Sequence, residues 1–449
     1  MFKKALTAIF IFFALLIFEG VARAGGPFVV DVVNRTGVAQ RWENDKLVWC
    51  ADEGKLSSSV NNAEAIQWIT DALNKWTSTT LKNASNQSVA TTAAQTQIDA
   101  TCGVGDVDLS NYEDHVYTST GPTVVIFDDT GDIIADLMGE ENRNGVVGLS
   151  QPIASDESGL RITKGVAIFN GLLLDNGVLA STSSASEALF KGTILHELGH
   201  MLNLDHSQVN FDVAQACVRN GTCENAHVIP TMYPELLTSM QGQYLTRDDK
   251  VTISWIYPTN DFEDDFCTIT GEIFDADGRP LKGVNVIAKS ALSGSAPMVD
   301  SRAFVSGVLK PTCYGNSRYY LRGLKPNIPY KVVYEAIGAE FTGASDFEPL
   351  DNPPRGFPPG TIESSGGDTT VTCSEGGQTI EMAQVTIDTS NPCAGFEDTD
   401  TDESSSDGSS SKCSFVAQSD SDLALLGLVM IIALLAIPRL KRVLQRIDS

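Results

Sequence analysis

Apolar residues recur along this chain with two different periods, and the change of period divides it. Between residues 25 and 260 both occur. Residues 28–33, 47–50, 123–127, 146–150 and 162–170 are apolar or alternating runs of strand length, bounded by turn formers, and they predict strands. Residues 63–76 place Ile66, Ile69, Leu73 and Trp76 three or four apart, which predicts an amphipathic helix. A second helix is expected over 184–204, opened by Ser184 and Glu187 as a capping box. The mixture reads as an α+β domain.

From about 264 to 388 the helical period disappears. Ile269, Gly271 and Ile273 alternate with polar residues, Asp277-Gly278 supplies a turn, and Val284, Val286 and Ala288 resume the alternation. Residues 320–324 and 330–334 add strands, so a small β-sandwich is expected over 261–390. An acidic, serine-rich stretch then fills 391–422, too polar to bury a core and expected to be a flexible spacer. It leads into an apolar run, 423–437, and the basic residues Arg439, Lys441, Arg442 and Arg446. That run is short for a helix crossing about 30 Å of hydrocarbon, although Pro438 and Leu440 with snorkelling arginines extend its reach.

The first 24 residues have the layout of an export signal: Lys3 and Lys4, an apolar run from Ala5 to Phe18, and Ala22-Arg23-Ala24 at a small-x-small cleavage site. An N-terminal membrane anchor is the competing reading. The mature chain is expected to begin near Gly25, outside the cytoplasm. Export makes disulfides available to the nine cysteines. Cys217 and Cys223 close a short loop, Cys50 is matched with Cys102, and Cys267, Cys313, Cys373 and Cys393 make two further bonds in an order left open. Cys413 is then left over. With 57 acidic and 31 basic residues the formal net charge is −26, which opposes binding to nucleic acid.

Three of the five histidines fall between residues 196 and 206. His196 and His200 stand four apart on the second helix, on one face, where both imidazoles can meet one cation. Glu197 is placed to reach a water activated by that cation without being a ligand. A third ligand, His206, fits only if the helix stops before it. Asn203 provides the stop, because asparagine tolerates the left-handed conformation that turns a chain back. One Zn2+ held by three imidazoles with a position left open is the expected centre. Ca2+ at Asp128, Asp129 or Asp132 is a weaker expectation.

On His196-Glu197-Leu198-Gly199-His200 and the following Asn203 and His206, the chain resembles the metzincin zinc peptidases, which normally carry glycine where Asn203 stands. Pro230-Thr231-Met232-Tyr233-Pro234 resembles the methionine turn of that family, with Met232 and Tyr233 supporting the floor of the site. Ser207 and the Met-Tyr-Pro form of the turn resemble the matrixin branch, as does Leu245-Thr246-Arg247-Asp248-Asp249 leading into Ile253, Ile256 and Tyr257, a closing helix capped by Thr246 and Asp249. The resemblance implies a twisted mixed sheet with an active-site helix over 25–260, and cleavage within polypeptide chains with Glu197 as general base. It also implies that Val146, Val147, Gly148 and Leu149 form an edge strand that grips an extended substrate through its backbone. Cys102-Gly103-Val104-Gly105-Asp106 is superficially similar to the latency switch of matrixins, but a Pro-Arg is missing before the cysteine and a disulfide is expected.

The segment opening Ile269-Thr270-Gly271-Glu272-Ile273 and continuing through Gly278 to Val284 resembles a transthyretin-like, carboxypeptidase-regulatory domain, with Tyr320-Leu321-Arg322-Gly323-Leu324, Pro326 and Tyr330 as a later strand pair. That implies an accessory sandwich that gives support or binding and carries no chemistry. Residues from about 413 on resemble bacterial C-terminal sorting signals, implying either a retained membrane anchor or removal by a sorting protease. A monomer is expected. The rival reading is a non-catalytic surface protein that uses a structural zinc and binds ligands through the sandwich.

Overall fold

The computed structural model describes residues 25–31, 37–175, 183–220, 223–239, 241–309, 317–338, 353–389 and 415–416. The export signal over 1–24, the Ser184 side chain of the expected capping box, Cys313, Cys393, Cys413 and the apolar run over 423–437 lie outside them. Among the described residues no helix is long and apolar enough to cross a membrane.

The N-terminal part is a mixed sheet with helices on it. Its main elements are β1 (Lys46–Ala51), α1 (Asn62–Thr77), β2 (Gln95–Ile98), β3 (Thr123–Asp128), α2 (Asp132–Met138), β4 (Val146–Ser155), β5 (Arg161–Asn170) and α3 (Ser183–Met201). The strands lie in the order β4-β5-β3-β1-β2. β5, β3, β1 and β2 run parallel, and β4 is antiparallel to β5. β3 is buried along its whole length because the two faces of the sheet are both covered. Val125 and Phe127 point into a core formed with Trp68, Ile69, Leu73 and Trp76 of α1 and Phe190, Ile194 and Leu198 of α3. Val124 and Ile126 point the other way, towards Ile133 and Ile134 of α2.

α1 begins where Asn61 accepts a hydrogen bond from the Glu64 N–H, and it spans the predicted segment with one residue added at each end. The expected strand over 28–33 does not form within its described part. Only single bridges occur there, Pro27 with Leu204 and Val30 with Ala39. The backbone N–H and C=O of Val29 are taken instead by the side-chain amide of Asn203, at 2.5 and 2.9 Å, so no ladder is needed to satisfy them.

Beyond the sheet come α4 (Phe211–Asn220), α5 (Arg247–Ile256) and α6 (Asn260–Asp265), and then the sandwich. One of its sheets joins β6 (Cys267–Asp275) to β9 (Arg318–Leu324); the other sets β7 (Asn285–Ser290) between β8 (Ser301–Val305) and β10 (Pro329–Glu335). β9 and β10, expected as a strand pair, do not pair with each other. The turn between them, with Asn327 at φ 62°, carries the chain from one sheet to the other. Disulfides join Cys50 to Cys102, Cys217 to Cys223 and Cys267 to Cys373.

The predicted division near residue 260 is not a division of the core. Val30, Ala214, Ile229 and Tyr233 from the N-terminal part pack in one cluster with Val286, Phe304, Tyr330 and Val332 of the sandwich. Three of those four are large side chains worth about 1.5–3 kcal/mol each when buried, so separating the parts costs on the order of 5 kcal/mol. A folded domain is stable by only about 5–15 kcal/mol. A chain ending at residue 260 is therefore expected to melt at least about 10 °C below one ending at residue 389, at roughly 2–4 °C per kcal/mol. Thermal denaturation of the two truncations checks this; equal midpoints would show that the parts are independent.

Candidate metal centre

The residues that end α3 decide the geometry of the site. His196, Glu197 and His200 lie in its last two turns, and the helix stops at Met201, three residues short of the predicted end. Asn203 adopts φ 70°, the left-handed conformation that the sequence called for. The freed carbonyls are all used: His200 C=O accepts from Asn203 N–H at 2.8 Å, Gly199 C=O from Leu204 N–H at 2.9 Å, and Met201 C=O from the Trp42 indole at 2.9 Å. The chain then reverses, and His206 arrives beside the other two histidines. Asn203 does more than turn. Its Nδ2 also donates to Gln40 C=O at 2.6 Å, so one side chain binds the N-terminal segment at two places.

The ligand atoms of His196, His200 and His206 lie within 4.8 Å of one another, the one such cluster of histidine, cysteine or carboxylate groups among the described residues. The Nε2 atoms of His196 and His200 are 3.1 Å apart. Their Nδ1 atoms face carbonyl oxygens, Thr231 at 2.7 Å and Leu204 at 2.8 Å, which fixes the tautomer with the proton on Nδ1 and the Nε2 lone pair turned inward. Burial pushes the His196 imidazole down to about 4, partly offset by the Thr231 carbonyl, and pushes His200 and His206 well down too. Neutral imidazoles are what a metal needs.

Glu197 is fully buried, and neither of its carboxylate oxygens has a hydrogen-bond partner. Burial raises its carboxyl well above the usual range, and the Ser150 backbone amide opposes this. Two bare carboxylate oxygens in an apolar interior are costly, and a cation with its water is the usual remedy. The donor set fits a zinc ion: three nitrogen ligands, with a carboxylate next to them that is not a ligand.

The floor of the site is Met232, 2 % exposed, beneath Gly199. A Cβ on Gly199 would overlap the Met232 sulfur and stand 2.9 Å from Trp76, so glycine is required there. Thr231 N–H and Met232 N–H both donate to Asp249, at 2.9 and 3.1 Å, and Thr246 and Asp249 form the capping box of α5. The methionine turn and the closing helix are thus one unit, with Tyr233 buried behind it. β4 passes over the opposite side: a Cβ built on Gly148 would lie 3.3 Å from Cγ of Glu197, while Val146, Val147 and Leu149 are buried. The outer side of β4 is already paired, with Phe415–Val416 (β11).

Two residues of the site carried no signal in the sequence. Asp248, beside Asp249, accepts from Ser207 Oγ at 2.6 Å and forms an ion pair at 2.7 Å with Arg302 of the sandwich, both side chains 1 % exposed. Arg302 also donates to Gly25 C=O at 3.1 Å, and Gly25 N–H donates to the carbonyl of His206. The sandwich therefore braces the loop that carries the third histidine, a supporting role.

The aspartates considered for calcium are engaged elsewhere. Asp128 caps α2 through Ile134 N–H at 2.9 Å, Asp129 pairs with Lys55 at 3.2 Å, and Asp132 pairs with Arg143. They form no ligand cluster.

No family model matches this chain, and none of the curated proteins does. Among solved structures it is similar to the dioxygenase domain of a dioxygenase carbohydrate-binding protein fusion from Streptomyces sp. SirexAA-E, at 16 % identity and a TM-score of 0.15, over 29 % of this chain and 85 % of that one. A C-terminal fragment of the pilus adhesin SpaC from Lactobacillus rhamnosus GG gives 14 % identity and a TM-score of 0.14, over 28 % of this chain and 45 % of that one. Scores this low carry no weight for fold or function.

Arg302→Met is expected to cost about 3–5 kcal/mol, because it strands a buried carboxylate. Adding Asp248→Asn removes that charge and is expected to recover part of the loss. Thermal midpoints and zinc stoichiometry for the single and double variants check the coupling.

Proposed function

We propose that this chain is a zinc-dependent endopeptidase of the cell envelope or exterior. One observation carries the reading: three buried, neutral imidazoles converge beside a glutamate whose two oxygens are both unpartnered. A structural zinc usually takes four protein ligands, whereas three histidines leave a position for chemistry. The metzincin-like order of the motif, the methionine turn and the capped closing helix support the same reading. The disulfides suit an oxidising, exported setting.

His196, His200 and His206 would hold the ion, which supplies Lewis acidity to a peptide carbonyl and to water when bound. Glu197 then takes a proton from the attacking water and delivers it to the departing amine. The carbonyls of Thr231 and Leu204 keep the two helical imidazoles oriented throughout. β4 offers a strand against which an extended polypeptide is held by its backbone, with Gly148 and Ser150 beside Glu197. With no acceptor preference set by the backbone, many sequences would fit. The near-complete burial of the site favours one rival, a metal-stabilised binding protein, and the same experiment separates the two.

Glu197→Gln is expected to bind zinc as wild type does and to hydrolyse an unfolded protein at least about 100-fold more slowly. A chelator should abolish wild-type hydrolysis, and added zinc should restore it. Metal analysis alongside a cleavage assay checks both; hydrolysis by Glu197→Gln at the wild-type rate would reject the reading.

A further inference from the structure

The strand expected to grip a substrate is occupied by a piece of the same chain. β11 pairs antiparallel with β4, Phe415 opposite Gly148 and Val416 opposite Val146, and it forms the outermost position of the sheet. Gly148 lies against the Glu197 side chain, a Cβ built on it standing 3.3 Å from Glu197 Cγ, and the Ser150 amide two residues on faces the Glu197 carboxyl. The backbone at Phe415 therefore runs one strand spacing, about 4.8 Å, from the strand that touches the general base. His196, Glu197, His200 and His206 are each no more than 1 % exposed, so a chain segment must lie along β4 to come near them.

The sequence around β11 has the composition of a protease substrate. It is acidic and rich in serine, and an extended segment is held by a strand through its backbone with little regard to its side chains. A few residues further on lie the apolar run over 423–437 and its basic end. Scission near Phe415 would part that run from everything before it.

We propose that the segment at Phe415–Val416 is a substrate of the metal centre in cis, and that the chain removes its own C-terminal tail. The inference rests on the endopeptidase reading above. In the step, a water oxygen bonds to a peptide carbonyl carbon and the C–N bond breaks. One water proton passes through Glu197 to the departing nitrogen, leaving a new carboxylate on the body of the protein and a new amine on the tail. No electrons are exchanged. Because both reactants belong to one chain, the rate is independent of protein concentration.

The test follows the intact mass of the purified full-length chain in zinc, at two concentrations tenfold apart, with an unfolded protein as a second substrate. Wild type is expected to lose a C-terminal fragment cut within a few residues of Phe415, with the same half-time at both concentrations, while Glu197→Gln keeps its tail. Prolines at both positions, Phe415→Pro with Val416→Pro, remove the strand's donors and should slow self-cleavage at least tenfold without slowing hydrolysis of the unfolded protein. If wild type hydrolyses the unfolded protein but keeps its tail, the inference falls and the endopeptidase reading stands. If it hydrolyses neither, the endopeptidase reading falls as well. Loss of the tail by Glu197→Gln would assign the cut to another protease. A half-time that shortens with concentration would make the reaction intermolecular. Faster hydrolysis of the unfolded protein by the proline variant, with the tail retained in wild type, would make β11 an inhibitor. Each of these three results overturns the proposal.

Discussion

The left-handed turn at Asn203 is the constraint from which the rest of the site follows. A non-glycine residue in that conformation costs roughly 1–2 kcal/mol. The Asn203 side chain makes three hydrogen bonds, to Val29 N–H and to the carbonyls of Val29 and Gln40, each worth about 0.5–1.5 kcal/mol net. The bonds outweigh the turn. Glycine would relieve the strain and lose all three, leaving residues 25–28 held to this loop by backbone bonds and Arg302 alone. Asparagine at this place thus couples two events, the end of the helix that carries His196 and His200 and the docking of residues 25–31 beside His206.

Two adjacent carboxylates extend that order outward. Asp249 turns back to the methionine loop and Asp248 turns to the sandwich, so a single helical turn of α5 joins the floor of the site to Arg302. Buried charge of this kind adds little net stability, since desolvation nearly cancels the attraction. What it adds is register. Arg302 has its partner only when β8 lies at one height against α5, and the shared apolar cluster then closes around Tyr233.

Much of this was legible in the sequence where the cause is local. The histidine spacing, the stop at Asn203, the Thr246–Asp249 cap and the helix around Ile69 and Trp76 all depend on residues within a turn or two of one another. The misses have non-local causes. β2 was not foreseen because Gln95, Thr96, Gln97 and Ile98 show no buried face, and their pairing comes from the neighbouring strand β1. The apolar run from Phe28 read as a strand, but the Val29 backbone within it is bonded by a side chain 174 residues away. Arg302 sits in an ordinary strand pattern, and its partner stands 54 residues earlier. β11 was hidden most completely, inside a stretch whose composition argues against any structure.

A strand that serves as β4 is proposed to serve, binding peptides through its backbone, cannot tell a substrate from its own tail. The distinction must come from strength and tether. β11 is two residues long, so its ladder contributes on the order of 1–3 kcal/mol, at about 0.5–1.5 kcal/mol for each hydrogen bond gained. That is weak for an inhibitor, which must survive competition, yet sufficient for a tethered segment whose effective concentration reaches about the millimolar range. A segment held this loosely populates the cleft often and leaves it readily. Those are the properties of a substrate presented to the site, and a longer, apolar strand in the same place would have the opposite ones.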